Sequence, residues 1–253
     1  MKRKLTLAAT VSATALAIGA KARAADLPVP TLPPTAPAVY NWTGVYVGVN
    51  GGWADGNSNW TNNCLECTGS PLPGGESGAF SVSGYLAGGT LGFNYQIGPW
   101  VYGIEGDFDW THLTGNSGST CGALFDALQT NQGCETESAW LATVRGRVGY
   151  AFPGLAGDSV LIFGTAGAAV ARIKTGLIPP STFDSSTDAG WAVGAGLEVA
   201  FAPNWTAKVE YLFIDLPNAT CTTTMNCGAV AGSTVTFNEN MVRAGVNFKF
   251  GAW

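Results

Sequence analysis

The closing stretch reads Asn240-Met241-Val242-Arg243-Ala244-Gly245-Val246-Asn247-Phe248-Lys249-Phe250-Gly251-Ala252-Trp253. From Val242 the even positions Val242, Ala244, Val246, Phe248 and Phe250 are apolar. The odd positions Arg243, Gly245, Asn247 and Lys249 are small, polar or charged. A period of two predicts a strand with one oily and one polar face. What remains open from this stretch alone is which face meets which solvent.

The same pattern recurs upstream. Tyr102, Ile104, Gly106, Phe108 and Trp110 alternate with Glu105, Asp107 and Asp109; Trp140, Ala142, Val144, Val148 and Tyr150 alternate with Thr143, Arg145 and Arg147. Trp205, Ala207, Val209, Tyr211 and Phe213 alternate with Lys208 and Glu210, and Trp191, Val193, Ala195, Leu197 and Val199 with Gly194, Gly196 and Glu198. Val45, Val47, Val49 and Trp53, then Leu91, Phe93 and Tyr95, and finally the apolar segment around 160–171, complete eight strands. Gly164 and Gly167 disfavour the rival reading of that segment as a buried helix. The polar faces together carry Glu105, Asp107, Asp109, Glu198 and Glu210 against Arg145, Arg147, Lys208, Arg243 and Lys249. Equal numbers of both signs predict one enclosed, mutually neutralising interior.

The connections alternate in length. Short turns are expected at Ile97-Gly98-Pro99, at 152–158 and at Ala202-Pro203-Asn204, and long polar loops at 54–81, 114–138, 174–188 and 216–233. All long loops then fall at one end and both termini at the other. That is the arrangement of an all-β, antiparallel up-and-down transmembrane β-barrel with eight strands and four long outer loops. The tryptophans favour membrane over water: Trp42, Trp100, Trp205 and Trp253 at the short-turn end, and Trp53, Trp110, Trp140 and Trp191 at the long-loop end, form two aromatic girdles. A soluble lipocalin-like barrel has the same period turned inside out, and would not gather Trp and Tyr on a charge-free outer face.

Residues 1–24 read as a secretory signal peptide: Lys2, Arg3 and Lys4 precede an apolar run that ends in Ala22-Arg23-Ala24. Removal would take five cations and no acid, moving the formal net charge of -5 further negative. A chain this acidic excludes nucleic acid as a partner. Residues 25–40 hold Pro28, Pro30, Pro33, Pro34 and Pro37 and read as a Pro-rich linker, leaving 41–253 for the barrel.

With these segments in place, the chain resembles the alpha-proteobacterial outer-membrane immunogenic protein family, RopB-like relatives of the OmpA and OmpX barrels. The matching pieces are Ala25-Asp26-Leu27-Pro28, Asn41-Trp42-Thr43-Gly44-Val45-Tyr46-Val47-Gly48, Gly103-Ile104-Glu105-Gly106-Asp107, Thr143-Val144-Arg145-Gly146-Arg147-Val148-Gly149-Tyr150, Lys208-Val209-Glu210-Tyr211-Leu212 and residues 242–250. The resemblance implies an integral outer-membrane barrel of the Gram-negative envelope, often grouped with porins, without a shared reaction. Family members usually stop near the Lys-Phe pair; this chain adds Gly251-Ala252-Trp253, out of phase with Phe250.

Chemistry-bearing residues are few. Cys64 and Cys67, Cys121 and Cys134, and Cys221 and Cys227 fall as pairs in three loops and none in a strand, which in an exported chain predicts loop-local disulfides among 15 possible pairings. Cys64-Leu65-Glu66-Cys67 lacks the second pair that a zinc site needs, so no metal and no cofactor is expected. His112 is the only histidine, with Asp109 and Thr114 near it in sequence but no nucleophilic serine motif, so no catalytic residue is assigned. Gly194-Ala195-Gly196 is half a dinucleotide fingerprint inside a strand and reads as packing space.

The function these readings support is a structural role in envelope integrity with surface display of acidic loops. The alternatives are a narrow diffusion porin and an outer-membrane lipid hydrolase resting on His112. Expected partners are outer-membrane lipid and lipopolysaccharide, the barrel-assembly machinery through the C-terminal strand, and host or envelope partners through the outer loops.

Overall fold

The computed structural model describes residues 40–61, 77–117, 133–154, 158–178, 182–220 and 234–251. Eight strands follow in chain order: β1 (Gly44–Thr61), β2 (Ser77–Ile97), β3 (Trp100–Asn116), β4 (Gly133–Pro153), β5 (Ser159–Ile178), β6 (Thr182–Ala202), β7 (Trp205–Thr220) and β8 (Thr234–Lys249). Every strand pairs antiparallel with its sequence neighbour, and β1 pairs with β8, closing the sheet into a barrel. Closure satisfies every ladder and leaves no edge.

Alternation sorts the side chains onto two surfaces. Outward lie Val45, Val49, Leu91, Phe93, Ile104, Phe108, Val144, Val209 and Val246, all substantially exposed. Trp53, Trp110 and Trp191 stand at the end of this band toward the long connections, and Trp100 and Trp205 at the other end. An apolar surface this continuous would be an aggregation site in water.

The strands run 16 to 21 residues, whereas about 9 to 11 tilted residues cross a hydrocarbon core. The surplus lies beyond Trp53, Trp110 and Trp140, where the ladders extend into stretches that composition marks as loop. The third connection is the clearest difference: β5 and β6 continue to Ile178 and from Thr182, so only 179–181 separate them. Irregularities at Trp110/Leu113, Ser138/Trp140 and Leu216/Ala219 also fall in this outer extension, where a bulge adds twist. Gly98, with φ of 60°, makes the tight β2–β3 turn that a side chain would strain.

Of the cysteines, Cys64, Cys67, Cys121, Cys221 and Cys227 lie outside the described residues. Cys134 is the correction: its backbone belongs to β4, paired with Leu177. The expected leader, the Pro-rich segment up to residue 39, and Trp253 also lie outside the described residues.

Candidate functional site

The register places opposite charges directly across from each other: Glu105 faces Arg145, Glu210 faces Arg243, and Glu198 faces Lys208. All six point inward and are almost fully buried. Arg145 is the hub. Its Nη2 donates to Glu105 Oε1 at 2.8 Å and Asp107 Oδ2 at 2.5 Å, its Nη1 to Glu210 Oε1 at 2.7 Å, and its Nε to Thr143 Oγ1 at 3.1 Å. Arg243 joins two of these carboxylates from β8, Asp107 Oδ2 at 2.9 Å and Glu210 Oε2 at 2.8 Å, and adds Asp109 Oδ2 at 2.9 Å.

Toward the short turns the belt continues through Arg147, whose Nη2 bonds Glu198 Oε2 at 2.7 Å and whose guanidinium lies 4.1 Å from the Phe163 ring centre. Lys208 crosses the lumen to both oxygens of Glu105, at 2.8 and 2.9 Å. Neutral groups complete the carboxylate shells: Tyr46 donates to Glu105 at 2.7 Å, Thr90 to Asp107 at 2.7 Å, and Thr206 and Asn247 to Glu198 at 2.5 and 2.9 Å. Gly88 leaves the space over which the Asp109 carboxylate lies, since a Cβ there would collide with it. Such pairing is what a charge removed from water requires; within the belt Asp109 Oδ1, Arg147 Nε and Arg243 Nη2 have no hydrogen-bond partner.

Lys249 does not belong to this belt, which corrects the expected set. It sits on the last rung of β8, where its Nζ donates to the Asn41 carbonyl and lies 4.3 Å from the Tyr40 ring centre. Trp42 is the second correction. Rather than joining a girdle it is 2% exposed and fills the barrel mouth. Gly44, with φ of 143°, turns the chain there. Trp42 then donates from its backbone to Gln96 Oε1 at 2.8 Å and from Nε1 to Ser159 Oγ at 3.3 Å. It packs with Val101, Leu161 and Phe163 as an apolar plug. Burial, and then the charge of Glu198, pushes the Tyr40 hydroxyl up to about 12.

A second apolar layer covers the belt on the side of the long connections. Leu113, Leu141, Ile173, Leu212, Ile214, Leu216, Phe237 and Met241 point inward and pack as one collar. Sequence alternation missed it because β7 is apolar on both faces there, Leu212, Ile214 and Leu216 inward and Tyr211 and Phe213 outward, so the period disappears. Glu239 was also missed. It stands in the collar between Phe237 and Met241, 1% exposed, with Oε2 lacking a hydrogen-bond partner.

On the outer wall, His112 is exposed and lies against Tyr85, with ring centres 5.3 Å apart. Asp109 points into the lumen and is held by Arg243, so these two residues stand on opposite faces of the sheet. Gly196 gives room to the Phe163 ring. A groove of about 740 Å³, floored by Gly89 and Gly106 and walled by Leu91, Phe93, Ile104 and Phe108, also opens outward. Among the described residues no group of three or more His, Cys, Asp or Glu is placed to hold a metal ion.

A closed eight-stranded barrel with an apolar exterior, aromatic rims and a charged interior defines the class of transmembrane barrels. Residues 7–250 match the family described as outer membrane protein beta-barrel domain, and the chain belongs to that family. It is 32% identical over 239 residues to the 31 kDa outer-membrane immunogenic protein of Brucella melitensis, covering 90% of this chain and 93% of that one. It is 30% identical over 168 residues to the 22 kDa outer membrane protein of Rhizobium leguminosarum, covering 66% and 67%. Among solved structures, Ail, the attachment invasion locus protein of Yersinia pestis, aligns at 17% identity with a TM-score of 0.36, over 81% of this chain and 99% of that one. The protein is an integral component of the outer membrane.

Proposed function

We propose that this barrel is a non-conducting, non-catalytic structural element of the outer membrane that carries its outer connections to the cell surface. The observation that carries the reading is the stacking of Trp42, the charged belt and the apolar collar along one lumen. Ions would have to displace a plug, enter a belt whose charges are already paired, and cross a layer packed mainly with apolar side chains. The separation of His112 from Asp109 by the barrel wall argues against the hydrolase alternative.

The exterior meets lipid, the terminal strand meets the assembly machinery, and the outer connections, acidic in sequence, meet ligands from outside. Cells lacking the protein test this reading. The expected result is increased detergent sensitivity and leakage of periplasmic contents, with unchanged uptake of small hydrophilic solutes. Reduced uptake with an intact barrier would instead establish the diffusion pore.

A further inference from the structure

Beyond Arg23 the chain carries seven Lys and Arg, all among the described residues. Arg145, Arg147, Lys208 and Arg243 are consumed by the belt, and Lys249 by the barrel mouth. The other two, Arg172 and Lys174, stand two positions apart on β5 and point outward, since Ala171 and Ile173 between and beside them are buried in the lumen. All outward cationic charge of the described wall is therefore gathered on one strand.

Its height is also defined. Arg172 is the cross-strand partner of Trp140 on one side and of Thr187 on the other, and Trp191 lies four residues further down β6, opposite Ala168. This is the rim where the apolar band ends. A guanidinium at that height is level with lipid headgroups, where a lipid-facing charge costs little.

Arg172 is exposed and makes no ion pair with a carboxylate among the described residues; its Nη2 donates to Ser185 Oγ at 3.0 Å. Lys174 pairs with Glu137 at 3.0 Å, with both side chains partly exposed. A pair of that kind is weak and exchangeable. Glu135 stands further along β4, on the same face as Glu137.

We propose that Arg172, flanked by the hydroxyls of Ser185 and Thr187 and by Lys174, holds a phosphate group of an outer-leaflet lipid headgroup. The planar guanidinium offers paired donors to phosphate oxygens, the hydroxyls add further donors, and Lys174 exchanges Glu137 for the same anion. A free phosphate has the same chemistry. The position at the membrane rim favours the lipid, because acyl chains lying on the apolar band below hold the headgroup at this height. The inference deepens the lipid contact in the function proposed above and is independent of the closed lumen: it is scored by bound lipid, not by solute passage.

The test uses the folded full chain in zwitterionic detergent, with native mass spectrometry counting bound bisphosphorylated lipid A and its phosphate-free form. Wild type is expected to retain the phosphorylated form at least about tenfold better. Arg172→Gln/Lys174→Gln, with unchanged heat-shifted gel mobility, is expected to lose that preference, and Arg172→Lys to keep part of it. Equal retention of both lipids by wild type would overturn the site without any variant. So would undiminished preference in the folded double variant. Displacement of lipid A by an equal concentration of inorganic phosphate would overturn the lipid assignment.

Discussion

The belt and the collar share one lumen and are held together by opposite means. The belt coheres through directional contacts, each guanidinium shared among two or three carboxylates. The collar coheres through non-directional packing of Leu, Ile and Phe. Losing one member of the belt strands the partners as buried charges, whereas losing one member of the collar leaves a cavity. The two should therefore fail differently, although both lie behind the same wall.

Arg145→Met gives the largest separation. It leaves Glu105, Asp107 and Glu210 short of their shared cation, and a loss of about 3–5 kcal/mol is expected in urea unfolding followed by gel mobility. A loss below about 1 kcal/mol would mean that water already reaches the belt. Leu212→Ala in the collar should cost about 2–5 kcal/mol, according to how far the cavity collapses.

Val144→Arg removes nothing from either layer and places a cation on the apolar exterior. A cost of about 2–4 kcal/mol is expected in a bilayer; no cost would mean that this face does not meet hydrocarbon. Glu239→Gln should change stability least, by no more than about 1 kcal/mol, because Oε2 has no hydrogen bond to lose. A larger loss would place Glu239 with the belt rather than among its collar neighbours.

The barrel was legible because alternation on both sides of the wall differs in chemistry: Val242 and Val246 cannot share a face with Arg243 and Asn247. The belt was legible for the same reason, since Glu105, Asp107, Arg145 and Arg147 repeat at period two. The collar was not, because the contrast between faces vanishes where Leu212 and Phe213 are both apolar. Trp42 is expected on a girdle from its place at the short-turn end alone, whereas its parity is that of Tyr46, and like Tyr46 it is buried. Lys249 follows the inward period faithfully, but on the final rung its partner is the chain's own entry segment. Lys174 opens the stretch at 174–188 that reads as loop, and Arg172 falls between it and the apolar segment ending at 171; both belong to β5.

The central claim is that the lumen is sealed twice, by Trp42 below the belt and by the collar above it. Single-molecule conductance in a planar bilayer tests it most directly, on verified folded barrels of the wild type, Trp42→Ala, Leu212→Ser/Phe237→Ser, and the triple combination. The account predicts silence from the wild type and from either seal opened alone, with steps confined to the combination. Sustained, uniform steps from the wild type would contradict it, because ions would then be passing a belt that the two seals are held to close.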